Sequence, residues 1–149
     1  MTSEKTLVLL KPSAVIRGLI GHIVDRIERK GLKIVAMKMI MISTEKAECM
    51  YSIHKGKPFF KQLIKYICSA PVVVMVVEAG QAVKIMRKLI GFTDPIEAIP
   101  GTIRGDLAFS TTKNIIHTSD SMENSKKEIE IFFTADEFLE YRRSDESWL

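Results

Sequence analysis

Apolar positions come in separated blocks, and their spacing changes from block to block. Residues 6–10 form a short apolar run ending at Lys11-Pro12, where proline has no N–H to give a ladder; the run reads as a strand. From about Leu19 the period becomes helical. Leu19, Ile20, Ile23, Val24 and Ile27 share one face, His22, Asp25, Arg26, Glu28, Arg29 and Lys30 the other, and Gly31 supplies the stop. Residues 32–42 read as a second strand. Ser43 or Thr44 caps a helix over 45–54 that Gly56 closes, and Pro58 opens a further helix over 59–68. The apolar, mostly β-branched run 72–77 predicts a strand covered on both faces. Residues 81–90 are amphipathic, with Ala82, Val83, Ile85, Met86, Leu89 and Ile90 inward and Gly91 at the end. Over 92–113 the periodicity vanishes. Pro95, Pro100, Gly101 and Gly105 punctuate a loop long enough, in a compact domain, to suggest function. Residues 114–117 read as extended and lead to His117. Ser119, Asp120 and Ser121 then offer three N-caps for a helix over 122–133.

The order β-α-β-α-α-β-α-loop-β-α predicts an α+β fold: a split βαβ sheet of ferredoxin-like type with extra helices, in one domain over 1–149. Hydrophobic content of 46% and only five prolines argue against disorder. No 18-residue apolar stretch and no leading basic-then-apolar segment occur, so neither a membrane span nor a secretory signal is expected. Cys49 and Cys68 lack metal-ligand spacing, which makes a cytoplasmic, reduced protein the default. A net charge of +4 suits an anionic small substrate first and nucleic-acid contact second, since the lysines are spread along the chain.

Chemistry concentrates around His117. It sits between a strand end and a helix N-terminus, where free N–H groups and the helix dipole favour phosphate. An imidazole of pKa about 6.5 is largely neutral at pH 7, and its free nitrogen can attack phosphorus. The other ring nitrogen then needs an acceptor, and Glu128 qualifies if the last helix folds back over the strand. The plainer alternative is a half-buried polar residue before a capped helix. No G-x-x-x-x-G-K-[ST] and no strand-borne G-x-G-x-x-G is present, so any phosphate must be held by side chains: Lys11, Arg87, Thr93 and Arg104 are available. Three of them also have a plain reading: Arg87 solvated on a helix, Lys11 ending a strand, Arg104 paired with Asp106. His22 reads as solvated, His54 as a cap on helix-end carbonyls, and Trp148 as an interface or intramolecular packing anchor in preference to a merely exposed residue.

Residues 114–121, Asn-Ile-Ile-His-Thr-Ser-Asp-Ser, strongly resemble the active-site signature of the nucleoside diphosphate kinases. Leu7-Val8-Leu9-Leu10-Lys11-Pro12, Lys57-Pro58-Phe59-Phe60, Pro71-Val72-Val73 and Pro100-Gly101-Thr102-Ile103-Arg104-Gly105-Asp106 resemble that family's blocks, in the family's order. The resemblance implies a four-stranded antiparallel sheet with helices on its faces. It also implies transfer of the terminal phosphate of ATP or another triphosphate to a nucleoside diphosphate, with broad base specificity. His117 would become phosphohistidine, with Glu128 and Ser119 orienting its second nitrogen. Lys11 and Tyr51 would stabilise the moving phosphoryl group, and Lys11 and Asn114 would reach the ribose 3′-hydroxyl. Arg87, Thr93 and Arg104 would hold the other phosphates and Phe59 would stack on the base. Mg²⁺ would arrive on the nucleotide, with Asp120 touching its water shell, and the chain would assemble as a hexamer or tetramer. Three positions depart from the usual pattern: Ser13-Ala14, Thr112, and Thr118, whose β-branch is expected to crowd the histidine.

Overall fold

The computed structural model describes residues 2–149. Its sheet contains β1 (Ser3–Leu10), β2 (Lys33–Ile40), β3 (Val72–Gly80) and the short β4 (Ile116–Thr118). The strand order is β2-β3-β1-β4 and every neighbouring pair is antiparallel. This is the split βαβ arrangement that the element order predicts, with β1 and β3 innermost. Seven helices accompany it among the described residues: α1 (Pro12–Ile16), α2 (Ile20–Lys30), α3 (Thr44–Met50), α4 (Phe60–Ile67), α5 (Ala82–Ile90), α6 (Ile103–Leu107) and α7 (Met122–Phe132).

The pleat sorts β1 and β3 into two cores. Val8, Leu10, Val73, Met75 and Val77 pack with Ile23 and Ile27 of α2 and Met86 and Ile90 of α5. Leu7, Leu9, Val72, Val74 and Val76 pack with Ala47, Ile64, Ile67 and Phe132 from α3, α4 and α7. That two-sided cover explains why Val72 to Val77 carries no polar residue at all. Each such side chain contributes about 1.5–3 kcal/mol on burial, so the two central strands form a rigid platform for whatever stands at their ends.

Several expectations shift at element ends. Residues 45–54 do not form one helix: α3 stops at Met50 and Ser52–His54 is a separate 3₁₀ turn. Ser43 is the N-cap of α3, accepting from Lys46 N–H at 3.2 Å. Pro12 does more than end β1; it opens the short α1, a place where proline's fixed φ fits. The patternless stretch 92–113 contains α6, capped by Thr102 Oγ1, which accepts from Gly105 N–H at 3.0 Å. A Cβ at Gly105 would collide with the Ile99 carbonyl, so only glycine permits that close turn. Trp148 is not a packing anchor within this chain. It is 85% exposed, and the adjacent Leu149 lies against Gly31 instead. No helix among the described residues is long and apolar enough to cross a membrane.

Candidate active site

β4 is only three residues long because the chain before it turns sharply. Ile116 N–H donates to Asn114 C=O at 2.8 Å, a one-residue γ-turn, and the residue inside it, Ile115, has φ of 63°. The predicted extended run 114–117 is therefore broken at Ile115. Positive φ at a β-branched residue costs about 1–3 kcal/mol and persists only where its surroundings over-determine it. Here they do: Ile115 is fully buried in the core, its carbonyl accepts from Lys11 N–H at 2.9 Å, and the next carbonyl, of Ile116, accepts from Arg104 Nη2 at 2.7 Å. The turn thereby brings the Asn114 side chain onto Lys11, whose ammonium donates to Asn114 Oδ1 at 2.5 Å, while Asn114 Nδ2 donates to Thr93 C=O at 3.3 Å.

His117 pairs across the ladder with Leu9, which directs its ring to the α3–α4–α7 side of the sheet. Its Nε2 lies 2.5 Å from Glu128 Oε2 on α7. A carboxylate only accepts, so Nε2 carries the proton and Nδ1 keeps its lone pair. The imidazole side chain is 25% exposed, and Glu128 only 12%. Tyr51 stands edge-on to the ring, centroids 6.4 Å apart, and its buried hydroxyl has no partner. Burial pushes that phenol well above its ordinary pKa, so it remains a proton donor. Lys11 is also buried; desolvation, then the nearby Arg104 charge, lowers its pKa to about 7. Burial and the Arg87 charge lower Arg104 to about 10, which still leaves it cationic at neutral pH.

Of the plain readings, that for Arg104 fails. It is 3% exposed, donates to Gly91 C=O and Ile116 C=O, and leaves Nε unpaired; Asp106 pairs with Arg26 instead. These groups line one cleft of about 750 Å³ together with Phe59, Arg87, Thr93, Thr112, Asp120 and Lys127. Arg87 and Thr93 stand exposed on one wall and Phe59, 47% exposed, on another. A second hollow of about 770 Å³ shares Arg87, Thr93 and Asp120 but contains neither His117 nor Lys11.

His54 closes the 3₁₀ turn Ser52–His54, but its side chain lines this cleft rather than capping helix-end carbonyls. Its ring lies 5.3 Å from that of Phe59 and 6.2 Å from that of Tyr51, and its Nδ1 lies 3.3 Å from Lys57 Nζ. An ammonium can only donate, so Nδ1 accepts and Nε2 carries the proton. Partial burial, then Lys57, lowers its pKa, which keeps the ring neutral. The signal missed was its place three residues after Tyr51 and five before Phe59. His22 is exposed, as predicted. Ser119 makes no hydrogen bond to the His117 ring: its buried hydroxyl has no partner. Glu128 alone holds Nε2. Thr118 does not crowd the ring either, because it pairs with Val8 and so faces the opposite core.

No cluster of three or more His, Cys, Asp or Glu side chains suited to a metal occurs among the described residues. Asp120 is a single exposed carboxylate, and its Oδ1 already accepts from Asn124 Nδ2 at 2.6 Å. Such a site fits a hard divalent cation that keeps most of its waters and enters on phosphate oxygens rather than in a protein cage.

The sequence profile of the family "Nucleoside diphosphate kinase" matches residues 4–138. A nucleoside diphosphate kinase from Archaeoglobus fulgidus is 51% identical over 146 residues, 98% of this chain and 97% of that protein. One from Metallosphaera sedula is 56% identical over 140 residues, 94% of this chain and all of its own length, 100%. The solved structure of a halophilic nucleoside diphosphate kinase from Halobacterium salinarum in complex with CDP superposes with a TM-score of 0.95 at 44% identity, covering 99% of this chain and 98% of that one.

Proposed function

Because this chain belongs to the nucleoside diphosphate kinase family, we propose that it transfers the terminal phosphate of a nucleoside triphosphate to a nucleoside diphosphate through a phosphohistidine on His117. What carries this is the contact between His117 Nε2 and Glu128, which leaves Nδ1 bare in a cleft ringed by cations and unpaired donors. In the first half-reaction Nδ1 attacks the γ-phosphorus. The N–P bond forms, the bond to the bridging oxygen breaks, and the diphosphate leaves. Nε2 keeps its proton against Glu128, which offsets the charge the ring gains. In the second half-reaction a terminal oxygen of another diphosphate attacks phosphorus, and the N–P bond breaks.

The rest of the cleft positions and neutralises charge, as phosphoryl transfer requires. Lys11 and the Tyr51 hydroxyl serve the moving phosphoryl group. Arg104 Nε, Arg87 and Thr93 take the remaining phosphates. Asn114, held between Lys11 and Thr93, is set to meet the sugar together with Lys11. Phe59 offers a stacking face, which any base accepts, so broad base specificity follows. His54, the neutral donor beside Phe59, joins the phosphate ligands. No carboxylate cage for a metal occurs among the described residues, so we assign Mg²⁺ to the bound nucleotide, where it would neutralise phosphate charge and Asp120 would be the carboxylate available to its water shell.

We further propose that residues 1–149 work as one domain in the cytoplasm, a reading supported by the two free cysteines. Self-association into a hexamer or tetramer is supported by the exposed Phe92, Ile96, Ile99 and Phe109. Incubation with γ-labelled ATP is expected to give an acid-labile, base-stable phosphoprotein, and His117→Gln to abolish the label. Labelling that survives His117→Gln refutes the mechanism.

A further inference from the structure

Lys11 has a structural duty that it cannot fulfil. It is the N-cap residue of α1, yet its side chain is turned to Asn114, and no local side chain caps the helix. Pro12 has no N–H, so the first donor left open is that of Ser13. The acceptor comes from fifty-three residues away. Tyr66, near the end of α4, places its phenol oxygen 3.3 Å from Ser13 N and 2.5 Å from Ser13 Oγ. It accepts from the Ser13 N–H and shares a proton with the Ser13 hydroxyl. A Ser or Asp N-cap would normally supply that oxygen from within the helix itself.

The bond ties together two walls of the cleft. α4 begins immediately after Phe59, and Tyr66 itself is largely buried, at 9% exposure, so its phenol is a fixed point. On the other side, the Lys11 backbone is held by its own N–H to Ile115 and by its carbonyl, which accepts from Ala14 N–H at 2.9 Å. Ala14 packs into the core below, but the Tyr66 contact is what ties the first turn of α1, next to Lys11, to α4. Lys11 Nζ has one hydrogen-bond partner, Asn114, so its position depends on the backbone that carries it.

We propose that Tyr66 is a positioning residue for phosphoryl transfer: its hydroxyl caps α1 through Ser13 and thereby fixes Lys11 against His117. This rests on the catalytic reading above. Tyr66→Phe keeps the ring and its packing and removes only the oxygen. It is expected to lower kcat about tenfold, while KM for the diphosphate stays within about twofold and the thermal midpoint within a few degrees. In a Lys11→Ala background the same substitution is expected to change kcat no further, because its effect passes through Lys11. An unchanged kcat in Tyr66→Phe, or a loss that multiplies with that of Lys11→Ala, overturns the proposal. The wild-type and His117→Gln proteins run alongside separate this failure from failure of the catalytic reading, since that reading falls only if the wild type does not turn over or His117→Gln does.

Discussion

Lys11 is the residue on which the site's electrostatics turn. Its pKa of about 7 lies far below the ordinary 10.5, chiefly because burial penalises the ammonium and secondly because Arg104 is near. Between those two values the unfolded chain binds a proton that the folded chain does not. Lys11 therefore costs stability in full below about pH 7, and that cost is relieved as pH rises toward 10.5. A bound triphosphate reverses the balance, since negative oxygens beside the amine favour its charged form. At pH 8 the free protein holds Lys11 mostly neutral, so binding should draw a proton from solution. Calorimetric titration with a non-transferable triphosphate analogue, repeated in buffers of different ionisation enthalpy, should show uptake approaching about one proton. Lys11→Ala should reduce it to near zero. Uptake indifferent to Lys11 would contradict this account. Nothing in the order of residues announces the effect. The lysine beside Pro12 is visible in the sequence, but its depressed basicity comes from the core closing around it and from Arg104, which is distant in sequence.

At the scale of elements, β4 and its approach show where local reading stops. The helix that carries Glu128 and a cap among Ser119, Asp120 and Ser121 are legible from spacing, because capping and 3.6-residue periodicity are local. The choice of Ser121 and the return of Glu128 to His117 come from the fold. The γ-turn at Ile115 is not legible, since a buried β-branched residue offers no local preference for positive φ and only the fold imposes it. Thr118 is a similar case. From sequence it sits beside the histidine, but the pleat turns it to the other core, where its hydroxyl is buried and has no partner. Removing that hydroxyl while keeping the branched shape should therefore help. Thr118→Val is expected to raise stability by about 1 kcal/mol, or roughly 2–4 °C in Tm, with no change in kcat. Denaturant unfolding and steady-state assays measure both. A stability loss would mean that the hydroxyl has a partner, and a changed rate would restore the crowding expectation.

At the scale of the whole molecule, the split βαβ type and the two-sided cover of β3 were legible from the element order and the apolar run. The antiparallel pairing was implied only by the family resemblance, since alternating helices and strands suit a parallel sheet as well. The internal order of residues 92–113 was not legible, since it depends on contacts distant in sequence: Arg26 donates to Gly101 C=O and pairs with Asp106, whose other oxygen accepts from Gly101 N–H at 2.8 Å. That well-held loop nonetheless exposes Ile96 at 83% and Phe109 at 93%, a combination that is costly for a lone chain. A second exposed strip lies on β2, at an edge of the sheet. Leu139 N–H meets that edge at the Val35 carbonyl, but Met37 and Met39 further along are 46% and 56% exposed. Two separate apolar surfaces suit a closed assembly with two kinds of contact better than a simple dimer. Sedimentation at micromolar concentration should therefore give several times the 16.9 kDa chain mass. Ile96→Asp combined with Phe109→Asp should cut that mass by disrupting the loop contact, and should leave the β2 contact and phosphohistidine labelling intact. A wild-type chain that sediments as a monomer, or a double variant of unchanged mass, would rule out the loop as an assembly surface.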